Sequence, residues 1–249
     1  MQINEITCKS ALVRTGLPGG KYALNPYRGC QHACSYCYAP SVLREKRQWG
    51  SFLDVKTNIA DVLETEVAKM AKGNVLIGTV TDAYQPMDVK YKITRRCLEV
   101  FVAHDWPITI QTKSALVTRD ADLLYQMSKK DVGFTITSLD PAVQKKFEPG
   151  GATPAERLAA LKELAKDGIQ TWIFIGPVIP GITENEIDSI VAAAAEAGAK
   201  SVMWDRLRPR PGFGMKAEYA SDIGAKIRAA CEKHGIACQS AFPTDSLKN

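Results

Sequence analysis

Asn25-Pro-Tyr-Arg-Gly-Cys-Gln-His-Ala-Cys-Ser-Tyr-Cys-Tyr38 places three cysteines, Cys30, Cys34 and Cys37, on one short loop. The spacing is C-x3-C-x2-C, and no fourth cysteine lies within reach along the chain. Three soft thiolates in this pattern suit an iron–sulfur cluster. In a [4Fe–4S] cube, three protein ligands leave one iron open, and an open metal position is where chemistry takes place. The alternative is a structural zinc knuckle with His32 as fourth ligand. His32 sits between two of the cysteines, so a tetrahedron there would be cramped. A plain ferredoxin-type carrier would need a fourth cysteine.

Outward from this loop the chain alternates strands and helices. Apolar, β-branched runs predict strands over 21–28, 74–80, 108–112, 132–138, 169–175 and 200–204. Helical periodicity predicts helices over 58–72, 93–104, 120–130 and 216–234. Thr153-Pro-Ala-Glu156 reads as a capping box opening a helix that runs to about Asp167 and stops at Gly168. Thr183, with Glu186 three residues on, reads as the cap of another helix, ended by Gly198. Six strands, each followed by a helix, predict an α/β fold with a parallel sheet. The count of six favours an open, partial (β/α)6 TIM barrel. No composition break marks a second domain. The expectation is one domain over 1–249, the barrel at about 21–234, with short terminal extensions.

In such folds the site lies at the C-terminal ends of the strands. Those ends are unusually polar or Gly-rich here: the cysteine loop, Gly78-Thr-Val-Thr-Asp-Ala-Tyr-Gln-Pro86, Gln111-Thr-Lys-Ser114, Thr135-Ile-Thr-Ser-Leu-Asp140, Gly176-Pro-Val-Ile-Pro180 and Trp204-Asp-Arg-Leu-Arg-Pro209.

The 249 residues carry a net charge of +5 and 45% apolar side chains, ample for a core. No signal peptide and no run of ~18 apolar residues is present, so the cytosol is expected. The cysteine count is seven, odd for a disulfide framework. Cys97 falls on the apolar face of a helix and reads as a core thiol. Cys231 and Cys238 flank His234; with Cys8 they form either a second metal site or free thiols. Two basic stretches, Arg44-Glu-Lys-Arg-Gln-Trp49 and Arg206-Leu-Arg-Pro-Arg210, are candidate phosphate contacts or simply solvated surface.

These residues carry a family resemblance. The cysteine spacing with the aromatic Tyr36 resembles that of radical S-adenosylmethionine (SAM) enzymes. Asn25-Pro-Tyr-Arg-Gly-Cys30, Thr81-Asp-Ala-Tyr-Gln-Pro86, Thr112-Lys-Ser114, Thr137-Ser-Leu-Asp140 and Phe147-Glu-Pro-Gly-Gly-Ala-Thr-Pro-Ala-Glu-Arg-Leu158 resemble the spore photoproduct lyase-like branch, often called "DNA repair photolyase". The resemblance implies a partial TIM barrel, a [4Fe–4S] cluster and SAM. It implies cluster ligation by Cys30, Cys34 and Cys37, and Lys113 paired with the SAM carboxylate. Thr81, Thr137 and Ser138 match positions that help hold SAM, and Tyr36 falls where a backbone group faces the adenine. Glu148 and Arg157 read as an ion pair or a cofactor contact. Tyr38 matches a tyrosine beside the lyase's radical path; it is the candidate catalytic residue, or an aromatic shield for the cluster.

One position departs from the family. Aligning Thr81-Asp82 with the lyase's Ser-Asp pair puts Thr79 where the lyase carries its hydrogen-donating cysteine. A threonine hydroxyl is a far poorer hydrogen-atom donor than a thiol. The expected function is therefore reductive SAM cleavage and hydrogen abstraction from a substrate, with nucleic acid leading, but not spore-photoproduct repair. A flavodoxin- or ferredoxin-like electron donor is the implied partner. The alternatives are radical SAM chemistry on a peptide or small metabolite, and a non-catalytic, metal-stabilised nucleic-acid-binding protein.

Overall fold

Every predicted strand is present. In the computed structural model, which describes residues 1–208 and 215–242, the strands in chain order are β1 (Gln2–Ile6), β2 (Leu12–Arg14), β3 (Tyr22–Leu24), β4 (Tyr27–Arg28), β5 (Phe52–Lys56), β6 (Val75–Ile77), β7 (Ile108–Thr112), β8 (Lys130–Thr135), β9 (Gln170–Val178), β10 (Ser201–Arg206) and β11 (Ala237–Ser240). The helices are α1 (Ala39–Val42), α2 (Ile59–Val67), α3 (Asp88–Tyr91), α4 (Ile93–Ala103), α5 (Ala121–Gln126), α6 (Pro141–Phe147), α7 (Pro154–Lys166), α8 (Thr183–Glu196) and α9 (Ile223–Lys233).

The main sheet runs β11-β10-β9-β8-β7-β6-β3-β2, and its two edges do not pair. Every pairing in it is parallel except that of β2 with β3. This is a partial, open TIM barrel. The first predicted strand is broken at Pro26, which has no N–H for a ladder. Beyond the break, β4 leaves the barrel and pairs antiparallel with β5, which pairs parallel with β1. This small second sheet, like β2 and β11, is absent from the sequence reading.

The two faces of the main sheet differ. Ile77, Ile110, Val132, Phe134, Ile173, Ile175 and Val202 face the helices and are at most 1% exposed. Each such side chain contributes roughly 1.5–3 kcal/mol on burial. The register pairs Leu76 with Thr109, Gln111 with Gly133, Gly133 with Trp172, Thr135 with Phe174, and Phe174 with Met203, so these residues share the opposite face. That face lines the barrel interior. Its lower end is closed: Trp172 lies across Gly133, where an added Cβ would come within 2.3 Å of the indole. The indole N–H donates to Asp131 at 2.7 Å, Thr109 donates to the same carboxylate at 2.8 Å, and Asn74 donates to Thr109 at 3.0 Å.

The capping box at α7 forms as predicted. Thr153 Oγ1 accepts from the Glu156 N–H at 3.2 Å, and the Glu156 carboxylate accepts from the Thr153 N–H at 2.6 Å. The expected cap at Thr183 does not form; Ile182 occupies the cap position. Thr183 instead donates to the Thr137 carbonyl at 2.5 Å, and Glu186 accepts from Ser138 Oγ and the Leu139 N–H, both at 2.6 Å. The start of α8 is thus spent on holding the loop after β8. The last helix begins at Ile223, capped by Asp222, rather than at 216. α5 is also shorter than predicted, because a 3-10 turn over Ala115–Asp120 precedes it.

Candidate active site

The cysteine loop is stitched across the strand ends. The Ser35 N–H donates to the Phe147 carbonyl at 2.9 Å, and the Gly150 N–H to the His32 carbonyl at 3.1 Å. The backbones meet so closely that a Cβ on Gly150 would fall 2.1 Å from the Gln31 carbonyl oxygen. From below, Thr81 Oγ1 donates to the Gly29 carbonyl at 2.6 Å and accepts from Gln85 Nε2 at 3.1 Å. Gln85 Oε1 accepts from the Gln31 N–H at 2.9 Å.

Asp82 is the hub of this side. Its carboxylate accepts from Thr112 Oγ1 at 2.7 Å, the Lys113 N–H at 2.8 Å and the Tyr84 N–H at 2.9 Å, and lies 3.2 Å from His32 Nδ1. Burial alone would raise its pKa, but His32 and these donors outweigh burial and hold it well below the usual carboxylate range. One anion therefore orients the cysteine loop through His32 and the β7 end through Lys113.

A second buried carboxylate anchors the other flank. Glu148, 0% exposed, pairs with Arg157, 1% exposed, at 2.5 Å. It accepts from the Tyr36 phenol and from Thr137 Oγ1 at 3.1 Å. Arg157 also donates to the carbonyls of Thr135 at 2.8 Å and Ala152 at 2.9 Å. Burial pushes the Glu148 pKa up, but Arg157 and Lys113 bring it below the usual value. The ion-pair reading of these two residues is what the structure shows.

Lys113 stands between the two carboxylates. Its ammonium lies 3.4 Å from Thr135 Oγ1 and 5.9 Å from the centre of the Tyr36 ring. Burial lowers its pKa, but Cys34 and Glu148 raise it further, so it stays cationic. The thiols of Cys30 and Cys34 are buried, Cys37 partly exposed. Burial pushes Cys30 up to about 12 and Cys34 well above its ordinary value, with the neighbouring cysteines adding to both. Binding to a metal centre would reverse this and hold the thiolates. Among the described residues no three His, Cys, Asp or Glu side chains are arranged to share a single metal ion. The donor set is three soft sulfurs beside a lysine, which fits an iron–sulfur cluster and an anionic ligand next to it.

The structure brings Tyr36, Tyr38, Thr81, Lys113 and Thr137 to the strand ends around the loop. The Ser138 hydroxyl is given to Glu186, so its visible task is to hold the loop after β8. Thr79 is fixed from two sides: Asn25 Nδ2 donates to its hydroxyl at 3.0 Å, and the Tyr38 phenol donates to its carbonyl. Among the described residues no other cysteine stands at this mouth. Cys97 is wholly buried in α4, as expected. Cys8 is bonded to Asn58 near β2, whereas Cys231 and Cys238 lie on α9 and β11 at the opposite edge of the sheet. The second metal site considered from sequence does not assemble.

The basic stretches also resolve. Arg47 is engaged internally, with Glu45 and Asp54 at 2.9 and 2.8 Å and its guanidinium 3.5 Å over the Phe52 ring. Only Arg44 and Lys46 of that stretch remain as candidate phosphate contacts. In the second stretch Pro209 and Arg210 lie outside the described residues. Sequence reasoning gave no role to Asp82, Gln85 or Asn25. The signal was there: polar residues with strong hydrogen-bonding needs at the ends of apolar strands.

Comparison with known proteins agrees with this geometry. Residues 24–194 match the profile of the radical SAM superfamily. The chain is 37% identical over 188 residues to an uncharacterized protein of Methanocaldococcus jannaschii, covering 75% of this chain and 71% of that one. It is 25% identical over 181 residues to the radical SAM Nalpha-GlyT isomerase of Pseudomonas phage M6, covering 72% of this chain and 38% of that one. Its fold matches that of a spore photoproduct lyase mutant with bound SAM and dinucleoside spore photoproduct, with a TM-score of 0.77 at 16% identity, covering 97% of this chain and 82% of that one.

Proposed function

This chain belongs to the radical SAM superfamily, and from that membership we propose that it cleaves SAM reductively and abstracts hydrogen from a nucleic acid. It is an enzyme of a family that uses a [4Fe–4S] cluster and SAM and needs an electron donor. Held by Cys30, Cys34 and Cys37, a cluster would supply the electron for reductive SAM cleavage and, through it, the means of removing a hydrogen atom from substrate.

The chain's own residues hold and orient. We assign the cluster to Cys30, Cys34 and Cys37, and the SAM carboxylate to Lys113, whose ammonium acts as a point charge. The backbone at Tyr36 would face the adenine, and Thr81 and Thr137 would line the cofactor side. Asp82 and Glu148 keep these groups in place without reorganising during reaction. Ser138 supports Thr137 through Glu186. The electron donor is a flavodoxin- or ferredoxin-like protein. No helix among the described residues is long and apolar enough to cross a membrane. We read 1–249 as one domain working in the reducing cytosol, where exposed thiols and clusters persist.

The nucleic-acid reading is supported by the dinucleoside bound to the structural neighbour. The observation that separates this chain from a lyase is the hydroxyl at Thr79, held by Asn25, where a thiol would be required. Tyr38, bonded to the carbonyl of that same residue, is the redox-active group we place beside the substrate. A phenol O–H is easier to break homolytically than an alcohol O–H.

The deciding experiment is anaerobic reconstitution, iron and sulfide analysis, and an assay for 5′-deoxyadenosine with reductant, with and without oligonucleotide. About four irons and four sulfides, and product formation that oligonucleotide stimulates, are expected. Stoichiometric zinc without iron would sink the radical reading. Stimulation by peptides but not by oligonucleotides would move the substrate to the alternative class.

A further inference from the structure

The inner face of the barrel breaks a rule of parallel sheets. Strands covered on both faces should be buried throughout, and closed TIM barrels fill their interior with side chains. Here burial alternates strictly along three strands. On β7, Thr109 and Gln111 are partly exposed between the buried Ile108, Ile110 and Thr112. On β6, Leu76 is partly exposed between Val75 and Ile77. On β10, Ser201, Met203 and Asp205 are partly exposed between the buried Val202 and Trp204. The register puts the partly exposed residues up to Met203 on the inner face, and Asp205, two residues beyond Met203, follows on the same side of β10. Among the described residues the interior is therefore a cup, closed below by Trp172 and open at the strand ends.

The two walls of the cup have different chemistry. The β7–β8 wall carries Lys113 and Gln111, both within 3.4 Å of Thr135 Oγ1, and belongs with the cofactor side. The β9–β10 wall carries Phe174, Met203 and Asp205. Phe174 leans toward the mouth: an added Cβ on Gly176 would come within 2.2 Å of its ring. At the same level the register shifts between Trp204 and Arg206, where β9 has an extra residue. Bulges of this kind re-aim side chains beside active sites. The residue they leave opposite is Asp205. Its Oδ1 accepts from the Arg206 N–H at 2.9 Å, and Arg208 lies 3.3 Å from Oδ2 at the rim. Both oxygens retain accepting capacity.

We propose that the β9–β10 wall is the substrate subsite, taking a planar nucleobase stacked on Phe174 and Met203 and donating a ring N–H to Asp205. This rests on the nucleic-acid reading above and adds the residues that read the base. An aromatic ring and a thioether offer a flat, polarizable surface for one face of a base, as sites for unstacked bases commonly do. An ionised carboxylate accepts only, so it selects a ring edge that presents a donor. The imide N–H of a pyrimidine such as thymine fits; a ring edge presenting only acceptors does not.

The test uses cluster-reconstituted protein with SAM under anaerobic conditions and the dinucleotide TpT as probe, read by equilibrium binding. Asp205→Asn should weaken TpT binding about fivefold to tenfold, because the amide oxygen still accepts but the charge assistance is lost. TpT methylated at both ring N3 positions should bind the wild type and Asp205→Asn alike. Phe174→Leu should weaken TpT binding fivefold or more. Both variants should keep wild-type SAM affinity, which also shows that they are folded. Unchanged TpT affinity in Asp205→Asn overturns this subsite and leaves the nucleic-acid reading standing. Failure of the wild type to bind TpT while it binds SAM overturns that reading and the subsite with it.

Discussion

The two sides of the barrel mouth are built on opposite principles. On the cysteine-loop side the buried carboxylates are held from several sides: Asp82 accepts from three donors and faces His32, and Glu148 accepts from Tyr36 and Thr137 and pairs with Arg157. Across the cup, Phe174, Met203 and Asp205 stay partly exposed. The difference separates two tasks. A cofactor used in every turnover is served by a site fixed in advance, which costs no reorganisation. A substrate must enter and leave, so its wall stays open. Damage to the first side should appear as lost cofactor or lost stability, and damage to the second as lost substrate affinity alone.

The largest expected effect is on the cluster. Cys30→Ala, Cys34→Ala and Cys37→Ala should each lose most of the iron and sulfide after anaerobic reconstitution. Retention of a full cluster by any of them would remove that cysteine from the ligand set. Next comes the fixed scaffold itself. Arg157→Met leaves Glu148 charged and buried, and one-sided loss of a buried pair costs about 3–5 kcal/mol. Denaturant unfolding of the ligand-free protein reads this directly. A cost below about 1 kcal/mol, the range of exposed pairs, would mean that the cofactor side is less rigid than its contacts indicate.

Smaller again is the effect of removing the Lys113 ammonium. Lys113→Ala should keep the cluster but weaken SAM binding about tenfold to hundredfold, the worth of one charge-assisted contact at a partly buried site. TpT affinity measured without SAM should not change. If Lys113→Ala weakens TpT binding as much as SAM binding, the division between the two walls fails.

The barrel was legible because its six inner strands are apolar runs long enough to stand out, and because the cysteines fix which end is the mouth. The small sheet was not. Gln2–Ile6 is mostly exposed and polar, and β4 has two residues, so both need partners distant in sequence to form at all. The site was legible as a set of residues but not as a set of bonds. Lys113 and the cysteines announced themselves by type and spacing. Asp82 was visible only as a member of a quoted motif, since its importance lies in burial and in partners from other strands, whereas Glu148 reads with Arg157 as an ion pair or a cofactor contact. Thr183 and Glu186 misled because a local cap and a tertiary hydrogen bond have the same sequence signature, and here the tertiary partner won.

The smallest expected effect tests whether contact count or burial decides what an arginine is worth. Arg47 matches Arg157 in engagement: it donates to Glu45 and Asp54 and lies over Phe52. Its side chain is 38% exposed, whereas that of Arg157 is 1% exposed. The side chains of its partners Glu45 and Asp54 are only 6% and 9% exposed, but each keeps a second partner when Arg47 is removed: Arg28 pairs with Glu45 at 2.8 Å and Asn4 donates to Asp54 at 2.9 Å. Arg47→Ala should cost about 0.2–1 kcal/mol in ion pairing, somewhat more with the lost stacking on Phe52. The ion-pair part should shrink as salt rises. Because the guanidinium already serves two carboxylates, nucleic-acid affinity and its salt dependence should stay at wild-type values. A loss comparable to that of Arg157→Met would show that contacts outweigh burial here. A tenfold drop in oligonucleotide binding with a shallower salt slope would return Arg47 to the phosphate-binding surface that its sequence neighbourhood first suggested.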